Sequence, residues 1–270
     1  MIIPMDCKQA EEIPIESDLI YERKYDGVRA IIIISKEHVE IHHSESPNVM
    51  NYRYPQLTKE LAKQKPGIYD GEICVFENGF SNIKYIQHRQ CSNRRKVQMM
   101  AKKYPVTFMA FDMLSVNGES IAFDKLLDRK KMLEQQLRPS NMIHLVNYYK
   151  TPDEILKDQD YIEGVVIKDI NSVYEEGKRT GSWRKKRFVQ EATVKVVELE
   201  EYNRDGHRAG VVCITDDGGR INLPGPRAEK ALELIGNNGS FRAEISFFEK
   251  TEKGYRFPVV KRILGAEDEV

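Results

Sequence analysis

The sequence predicts an α+β protein: a large domain of mainly antiparallel sheets with helices, then a small five-stranded barrel. Three observations lead there. Through the first two-thirds, stretches rich in branched residues alternate with helix-like stretches, and several strand pairs lie too close together for crossover helices. After Phe188 the texture changes to five short strands with one amphipathic segment after the third, which fits an OB-type barrel. The 270 residues are 40% hydrophobic and 31% charged, so one large or two unequal domains can each bury a core.

In chain order, strand-like segments 19–21 and 28–35 flank an Asp26-Gly27 turn. Segments 39–43, 68–76, 106–114, 143–147 and 162–168 read as further strands, bounded by turn residues. Helices are expected at 55–65, 94–103, 123–137 and 152–158, the third placing Leu126, Leu133 and Leu137 on one face. Segments 192–199, 209–215, 220–223, 241–249 and 255–263 are the five later strands. Between the third and fourth lies a helix over 226–235, with Ala228, Ala231, Leu232 and Ile235 at helical spacing. Asp216-Asp217-Gly218-Gly219 is a hairpin turn. A boundary near Phe188 divides a first domain, residues 1–188, from a second, residues 189–270, without a low-complexity linker.

Composition removes several function classes. The longest apolar run, 30–34, is far short of the roughly 20 residues that cross a bilayer. Asp6, Lys8, Glu11 and Glu12 interrupt any leader-like stretch. Cys7, Cys74, Cys91 and Cys213 form no Cys-x-x-Cys pair, which points to a reducing cytoplasm and no structural zinc. Forty-two basic and 42 acidic residues cancel, so wholesale electrostatic capture of nucleic acid is not expected. The distribution is uneven, however. Lys178, Arg179, Arg184, Lys185, Lys186 and Arg187 form one basic run; Arg89, Arg94, Arg95, Lys96, Lys102 and Lys103 form another. Such stripes suit phosphate contact along one face.

The most informative run is Tyr21-Glu22-Arg23-Lys24-Tyr25-Asp26-Gly27-Val28-Arg29. A lysine amine held beside a tight Asp-Gly hairpin can be aimed at one electrophile, and nearby cations (Arg23, Arg29, a bound metal) favour its nucleophilic form. Further pieces follow in order: Asp70-Gly71-Glu72, Phe111-Asp112, Glu163-Gly164-Val165-Val166-Ile167-Lys168, then Trp183-Arg184-Lys185-Lys186-Arg187. Nucleotidyl transfer needs hard cations, and carboxylates hold them. Glu72 and Glu163, on separate strands, are candidate metal ligands. Phe111 is a candidate ring for stacking on adenine, and Lys168 and Lys185 are candidates for triphosphate oxygens.

This ordered set resembles motifs I, III, IIIa, IV and V of ATP-dependent DNA ligases, within the covalent nucleotidyltransferase superfamily. The closing run Tyr255-Arg256-Phe257-Pro258-Val259-Val260-Lys261-Arg262-Ile263 resembles the ligase OB terminus. The whole chain is covered, in the minimal two-domain layout of viral and prophage ligases. The resemblance implies a nucleotidyltransferase (adenylation) domain and an OB-fold domain that seal 5′-phosphate/3′-hydroxyl nicks in duplex DNA through a lysyl-AMP intermediate. It makes Lys24 the nucleophile and places Glu22 and Arg29 in the ATP site with Phe111, Lys168, Lys185 and Arg187. Glu72 and Glu163 would bind Mg²⁺ or Mn²⁺. Arg94, Arg95, Lys96, Lys178, Arg179, Arg184 and Lys186 would contact nucleic acid, the protein acting as a cytoplasmic monomer without a membrane. An RNA ligase or capping guanylyltransferase shares the lysine motif, and a binding module with lost chemistry is a reading from another class.

Three positions depart from the pattern. Ser44-Glu45 stands where the family has Ser-Arg, with Arg53 a candidate for the missing charge. Arg187 replaces the second motif V lysine. Leu264-Gly265-Ala266-Glu267 does not match the Arg-x-Asp-Lys of motif VI, leaving Arg256, Lys261 or Arg262 as candidates. Because motif I starts within the first 25 residues and the hairpin over 209–223 has no insertion, no DNA-encircling device is expected, and binding should rest on phosphate contacts.

Overall fold

A computed structural model describes residues 2–44, 46, 48–89, 93–204, 207–251 and 254–264. Glu45, Cys91 and the motif VI segment from Gly265 onward, with the acidic tail, lie outside the described residues. Numbering strands longer than two residues, the order is β1 (Asp6–Gln9), β2 (Leu19–Lys24), β3 (Val28–Ile34), β4 (Val39–His43), α1 (Pro55–Leu61), β5 (Gly67–Cys74), α2 (Ile83–Gln87), α3 (Arg94–Lys103), β6 (Thr107–Val116), α4 (Leu126–Gln136), β7 (Ile143–Leu145), α5 (Asp153–Leu156), β8 (Gly164–Asp169) and β9 (Arg179–Arg187). There follow β10 (Gln190–Arg204), β11 (His207–Thr215), β12 (Arg220–Pro224), α6 (Pro226–Asn238), β13 (Phe241–Phe247), β14 (Glu249–Thr251), β15 (Gly254–Arg256) and β16 (Val259–Leu264). The chain folds as two compact units, Met1–Arg187 and Phe188–Val270.

The first unit is built on two sheets. One has the order β1-β9-β8-β2, with Tyr148–Tyr149 pairing beyond β2; the other runs β7-β6-β5-β3-β4. Pairing is antiparallel as expected except at β1–β9 and β7–β6, which are parallel. One core, with Ile32, Tyr54, Leu57, Tyr69, Phe108 and Leu133, lies on one side of the second sheet. Met5, Ile20, Ile31, Leu114, Leu126, Tyr174 and Trp183 form another, drawn from both sheets. Ile31 and Ile32 therefore serve different cores, which is why β3 reads as a continuous apolar run and not an alternating one.

The basic run ending at Arg187, assigned to no element from sequence, is strand β9, hydrogen-bonded on both edges. One expectation needs correction here. Arg89 is 1% exposed and cannot join a surface stripe: it donates to the carbonyls of Arg53 (3.3 Å), Ala101 (3.1 Å) and Tyr104. Helices α1, α4 and α5 are shorter than expected, and α3 has the expected bounds, capped by the Asn93 side chain, which accepts from Lys96 N at 3.1 Å.

The second unit is a sheet of order β12-β11-β10-β13-β16, and β12 and β16 approach each other so that the sheet curls towards closure. Long β10 makes this possible. Its first half pairs with β13 and its second with β11, with a bulge after Val196 where the strand changes partner. This is the cyclic strand order of an OB-fold, with α6 after the third strand. Helix α6 extends past residue 235 to Asn238, where Gly239 at φ 69° caps it. The strand expected over 255–263 is broken in two, because Phe257 adopts φ 49° and Pro258 has no N–H to give a ladder. Among the described residues no helix is long and apolar enough to cross a membrane.

Candidate active site

Register on the first sheet explains how the candidate residues meet. Residues directly opposite one another share a face. Gly164 on β8 faces Lys24 on one side and Arg187 on the other; Val166 faces Glu22 and Lys185; Lys168 faces Ile20 and Trp183. Three rows thus line one face, with Lys24 and Arg187 in the first, Glu22 and Lys185 in the second, and Lys168 in the third.

In the first row, Lys24 Nζ is ion-paired with Glu163, whose other oxygen accepts from Arg187 Nε at 2.9 Å. Glu163 is 4% exposed, so both cations are held by one largely desolvated carboxylate. The row can close this tightly because Gly164 has no side chain: a Cβ there would overlap the Lys186 carbonyl oxygen and lie 2.9 Å from Arg187 Cα. The Asp26-Gly27 turn beside Lys24 is pinned in the same manner. Asp26 N donates to Ser81 Oγ at 2.9 Å, and its carboxylate accepts from Ile83 N at 3.1 Å. A Cβ on Gly27 would sit 2.9 Å from both Cys74 Sγ and Glu72 Cγ, so this glycine is what lets β5 bring Glu72 up to the turn.

Glu72 differs from Glu163. Its carboxylate has no hydrogen bond or ion pair among the described residues. Burial, only partly opposed by Lys24 and Arg29 and reinforced by Glu163, pushes it up to about 8. The described residues contain no group of three or more His, Cys, Asp or Glu poised for a metal. What they offer is this carboxylate pair, one member engaged by cations and one uncompensated. That fits a Mg²⁺-type ion, which is often held by one or two carboxylates plus phosphate oxygens.

In the second and third rows, Glu22 is 2% exposed and held by two lysines: Lys130 on Oε1, and Lys168 at 2.8 Å from Oε2. Burial would raise the Glu22 carboxyl, but Lys130 and then Lys168 outweigh it and hold it below the usual range. Lys168 is 1% exposed, its ammonium 4.3 Å from the Phe111 ring centre and 4.0 Å from that of Trp183. The structure thus places Lys168 four residues along the strands from the Lys24 row, about 13 Å, and commits its amine to Glu22. Lys185 lies between these ends, 3.9 Å from Asp6, and burial pushes its ammonium down.

Phe111 reaches the site through a bulge. Asp70 opposes Asp112 and Gly71 opposes Ala110, which leaves Phe111 as the extra residue on β6. It meets Trp183 edge-on at 6.2 Å and stays partly exposed. Arg29 stands over it at 5.4 Å, held by Asp70 through Nε (3.0 Å) and Nη2 (2.7 Å) and donating to Met5 O at 2.6 Å. Burial works against this guanidinium, but Asp70 outweighs it and keeps it more firmly protonated. Tyr174 OH completes the brace with a 2.7 Å bond to Asp70 Oδ2.

The residues expected at nucleic acid divide by location. Arg94, Arg95 and Lys96 are exposed on the first turn of α3. Lys178 and Arg179 are exposed but paired with Glu175 (3.1 Å) and Asp6. Arg184 and Lys186 occupy the face of β9 opposite Lys185 and Arg187; both are half-buried, and Lys186 donates to Glu11 O. Arg53 sits in a short turn with Nε donating to Tyr52 OH at 2.9 Å. Arg256 is paired with Glu249 (3.0 Å) and Arg262 with Glu244 (2.8 Å). Asp70, Lys130, Tyr174 and Trp183 were not singled out as site residues from sequence. Asp70 and Trp183 lie inside the quoted motifs, so proximity was an available signal; for Lys130 and Tyr174 there was none.

The family model described as ATP-dependent DNA ligase domain matches residues 4–187. A bifunctional non-homologous end joining protein LigD from Bacillus subtilis is 28% identical over 212 residues, covering 70% of this chain and 34% of that protein. A DNA ligase from Archaeoglobus fulgidus is 33% identical over 199 residues, covering 70% and 35%. The chain thus spans about a third of the length of these curated relatives. Among solved structures, one titled as a structure-function analysis of Lig E DNA ligases, on DNA binding with a minimal scaffold, superposes with a TM-score of 0.70 at 17% identity, covering 97% of this chain and 98% of the other. The ligase domain of M. tuberculosis LigD gives 0.59 at 20%, covering 97% and 95%. At these identities the structural likeness is one of fold.

Proposed function

We propose ATP-dependent sealing of nicked duplex DNA as the activity of this chain, which belongs to the ATP-dependent DNA ligase domain family. The observation that carries the reading is the first row, where a lysine, a shared carboxylate and an arginine converge beside a second, uncompensated carboxylate. In this reading Lys24 Nζ loses its proton to solvent and leaves Glu163, then attacks the α-phosphorus of ATP. A P–N bond forms, the bond to the bridging oxygen breaks, and pyrophosphate departs with the electron pair. An oxygen of the nick's 5′-phosphate then attacks the AMP phosphorus and the P–N bond breaks, returning the electron pair to Lys24 Nζ; the 3′-hydroxyl next loses its proton to solvent, attacks that 5′-phosphate and displaces AMP.

Arg187 keeps Glu163 compensated when Lys24 departs, which lets the lysine move without stranding a buried anion. Glu72 and Glu163 would hold a divalent ion, Mg²⁺ or Mn²⁺, which when bound supplies positive charge against the phosphate oxygens. Lys185 and Arg187 border the same space and would bind phosphate, while Phe111 would meet the adenine ring. The position of Lys168 supports a role at the base end of the nucleotide in place of the phosphate role its motif suggested. Arg94, Arg95 and Lys96 would contact the DNA backbone, with the barrel unit supplying further contacts and the protein acting as a monomer.

The test is Lys24→Ala. It should abolish transfer of labelled AMP from ATP to the protein, yet still seal a nick supplied already 5′-adenylylated, since that step needs no lysine adduct. Undiminished AMP labelling in the variant would refute the assignment.

A further inference from the structure

Asp6 is an anion beside a lysine proposed for phosphate, and the proposed chemistry gives it no task. Strand β1 pairs parallel with β9, and the register jumps: three steps along β1, from Asp6 to Gln9, match six along β9, from Arg179 to Lys185. The surplus residues of β9 bulge between the paired positions, and both ends of that stretch come to the same carboxylate. Arg179 Nε donates to Asp6 Oδ2 at 2.9 Å, and Lys185 Nζ lies 3.9 Å from Oδ1, which also accepts from Cys7 N at 3.0 Å. Burial would raise the Asp6 carboxyl, but Arg179 and then Lys185 outweigh it and hold it below the usual range. Among the described residues this is the ion pair of Lys185, whose charged neighbours otherwise include Arg187 and Lys24, both cations.

Both Asp6 oxygens are held, one by Arg179 and one by a backbone N–H, so the carboxylate cannot turn aside when a nucleotide arrives. Lys185 is the mobile member of the pair, a flexible stem ending in three donors. Its ammonium must choose between this fixed anion and incoming phosphate oxygens. We infer that Asp6 is a positioning residue that competes with the nucleotide's triphosphate for Lys185, holding the lysine while no nucleotide is bound and taking it back once pyrophosphate has left. The inference rests on the proposed use of ATP. The arrangement costs some affinity, and it keeps a half-buried ammonium balanced between turnovers with two other cations beside it.

The experiment uses the full chain with Asp6→Asn, which keeps the shape and an acceptor for Cys7 N and removes the charge. Binding is followed by calorimetry with α,β-methylene-ATP. This analogue carries a full triphosphate but cannot transfer AMP, because carbon replaces the bridging oxygen that must leave. Adenosine, which has no phosphate, is the comparison. Asp6→Asn should tighten the analogue about two- to fivefold, the scale of an ion pair whose side chains are 41% and 22% exposed, and leave adenosine unchanged. In a Lys185→Met background most of that gain should disappear. Unchanged or weaker binding of the analogue, or equal tightening of adenosine, overturns the inference. So does a gain that mostly survives Lys185→Met, as plain charge repulsion would give. If Asp6→Asn does not fold, Asp6→Ser is read by the same criteria. Wild-type protein that neither binds the analogue nor labels from ATP would instead sink the proposed function.

Discussion

Gly164→Ala tests the site's geometry without removing a functional group. Gly164 is the middle of the Lys24–Gly164–Arg187 row, and the added Cβ would overlap the Lys186 carbonyl oxygen, with Arg187 Cα at 2.9 Å and Lys186 C at 3.0 Å. These are backbone atoms, so no side chain can rotate away; β8 and β9 must part, by roughly 1 Å at native packing density. Arg187 rides on β9, and its 2.9 Å bond to Glu163 lengthens with that shift. Overpacking of this kind costs about 1–3 kcal/mol of stability, which need not unfold a domain. A misplacement near 1 Å of groups around a reacting atom costs on the order of 10²-fold in rate. Single-turnover transfer of labelled AMP should therefore slow about a hundredfold, while the melting temperature falls by only a few degrees. Labelling at the wild-type rate in a folded Gly164→Ala protein would show that the closeness of this row has no bearing on chemistry.

Three further outcomes are expected. Glu72→Ala and Glu163→Ala should each lower sealing by orders of magnitude, with raised Mg²⁺ giving partial rescue; near-normal sealing by both would return these glutamates to a structural role. Each phosphate neutralised contributes roughly −0.9 to the slope of log K against log salt, so replacing Arg94, Arg95 and Lys96 with alanine should flatten that slope for nicked DNA and spare AMP loading; an unchanged slope would exclude α3 from the DNA footprint. His43 is 8% exposed and hydrogen-bonded to Tyr54 OH at 3.0 Å, and burial, then Arg53, push it down to about 4. Against an unfolded value near 6.5, the unfolded chain takes the proton first. This contribution to stability is complete above about 6.5 and is lost as pH falls towards 4, so His43→Asn should show a shallower acid decline in denaturant titrations.

Much of the architecture was legible because it rests on apolar pattern. The segments around Ile31, Ile41, Tyr69 and Phe108 are rich in branched and aromatic residues, and the structure makes each a strand. What escaped were charges that tertiary structure buries. Strand β9, with Arg179, Arg184, Lys185, Lys186 and Arg187, has too few apolar residues to announce itself, and is a strand because β1 and β8 bracket it. Arg89 reads as part of a surface stripe, and nothing marks Lys130, because the partners that make their burial tolerable, the Ala101 and Tyr104 carbonyls and Glu22, lie far off in sequence or are backbone atoms. Lys168 has the alternation of a solvent-facing position, yet its side of the sheet is covered by Phe111 and Trp183. Nucleophile and carboxylates were easier, since a strand, a turn and a short motif place them locally.

The alternation along β9 has a consequence for how this surface can change. Lys185 and Arg187 look towards the Lys24 row while Arg184 and Lys186 look away, so a single nine-residue ribbon serves two audiences with one composition. Point substitutions on it can alter one without disturbing the other. Inserting or deleting one residue ahead of Trp183 would transpose them, sending the indole outward and offering Arg184 and Lys186 to the nucleotide side. Substitution should thus be far better tolerated in this ribbon than any change in its length.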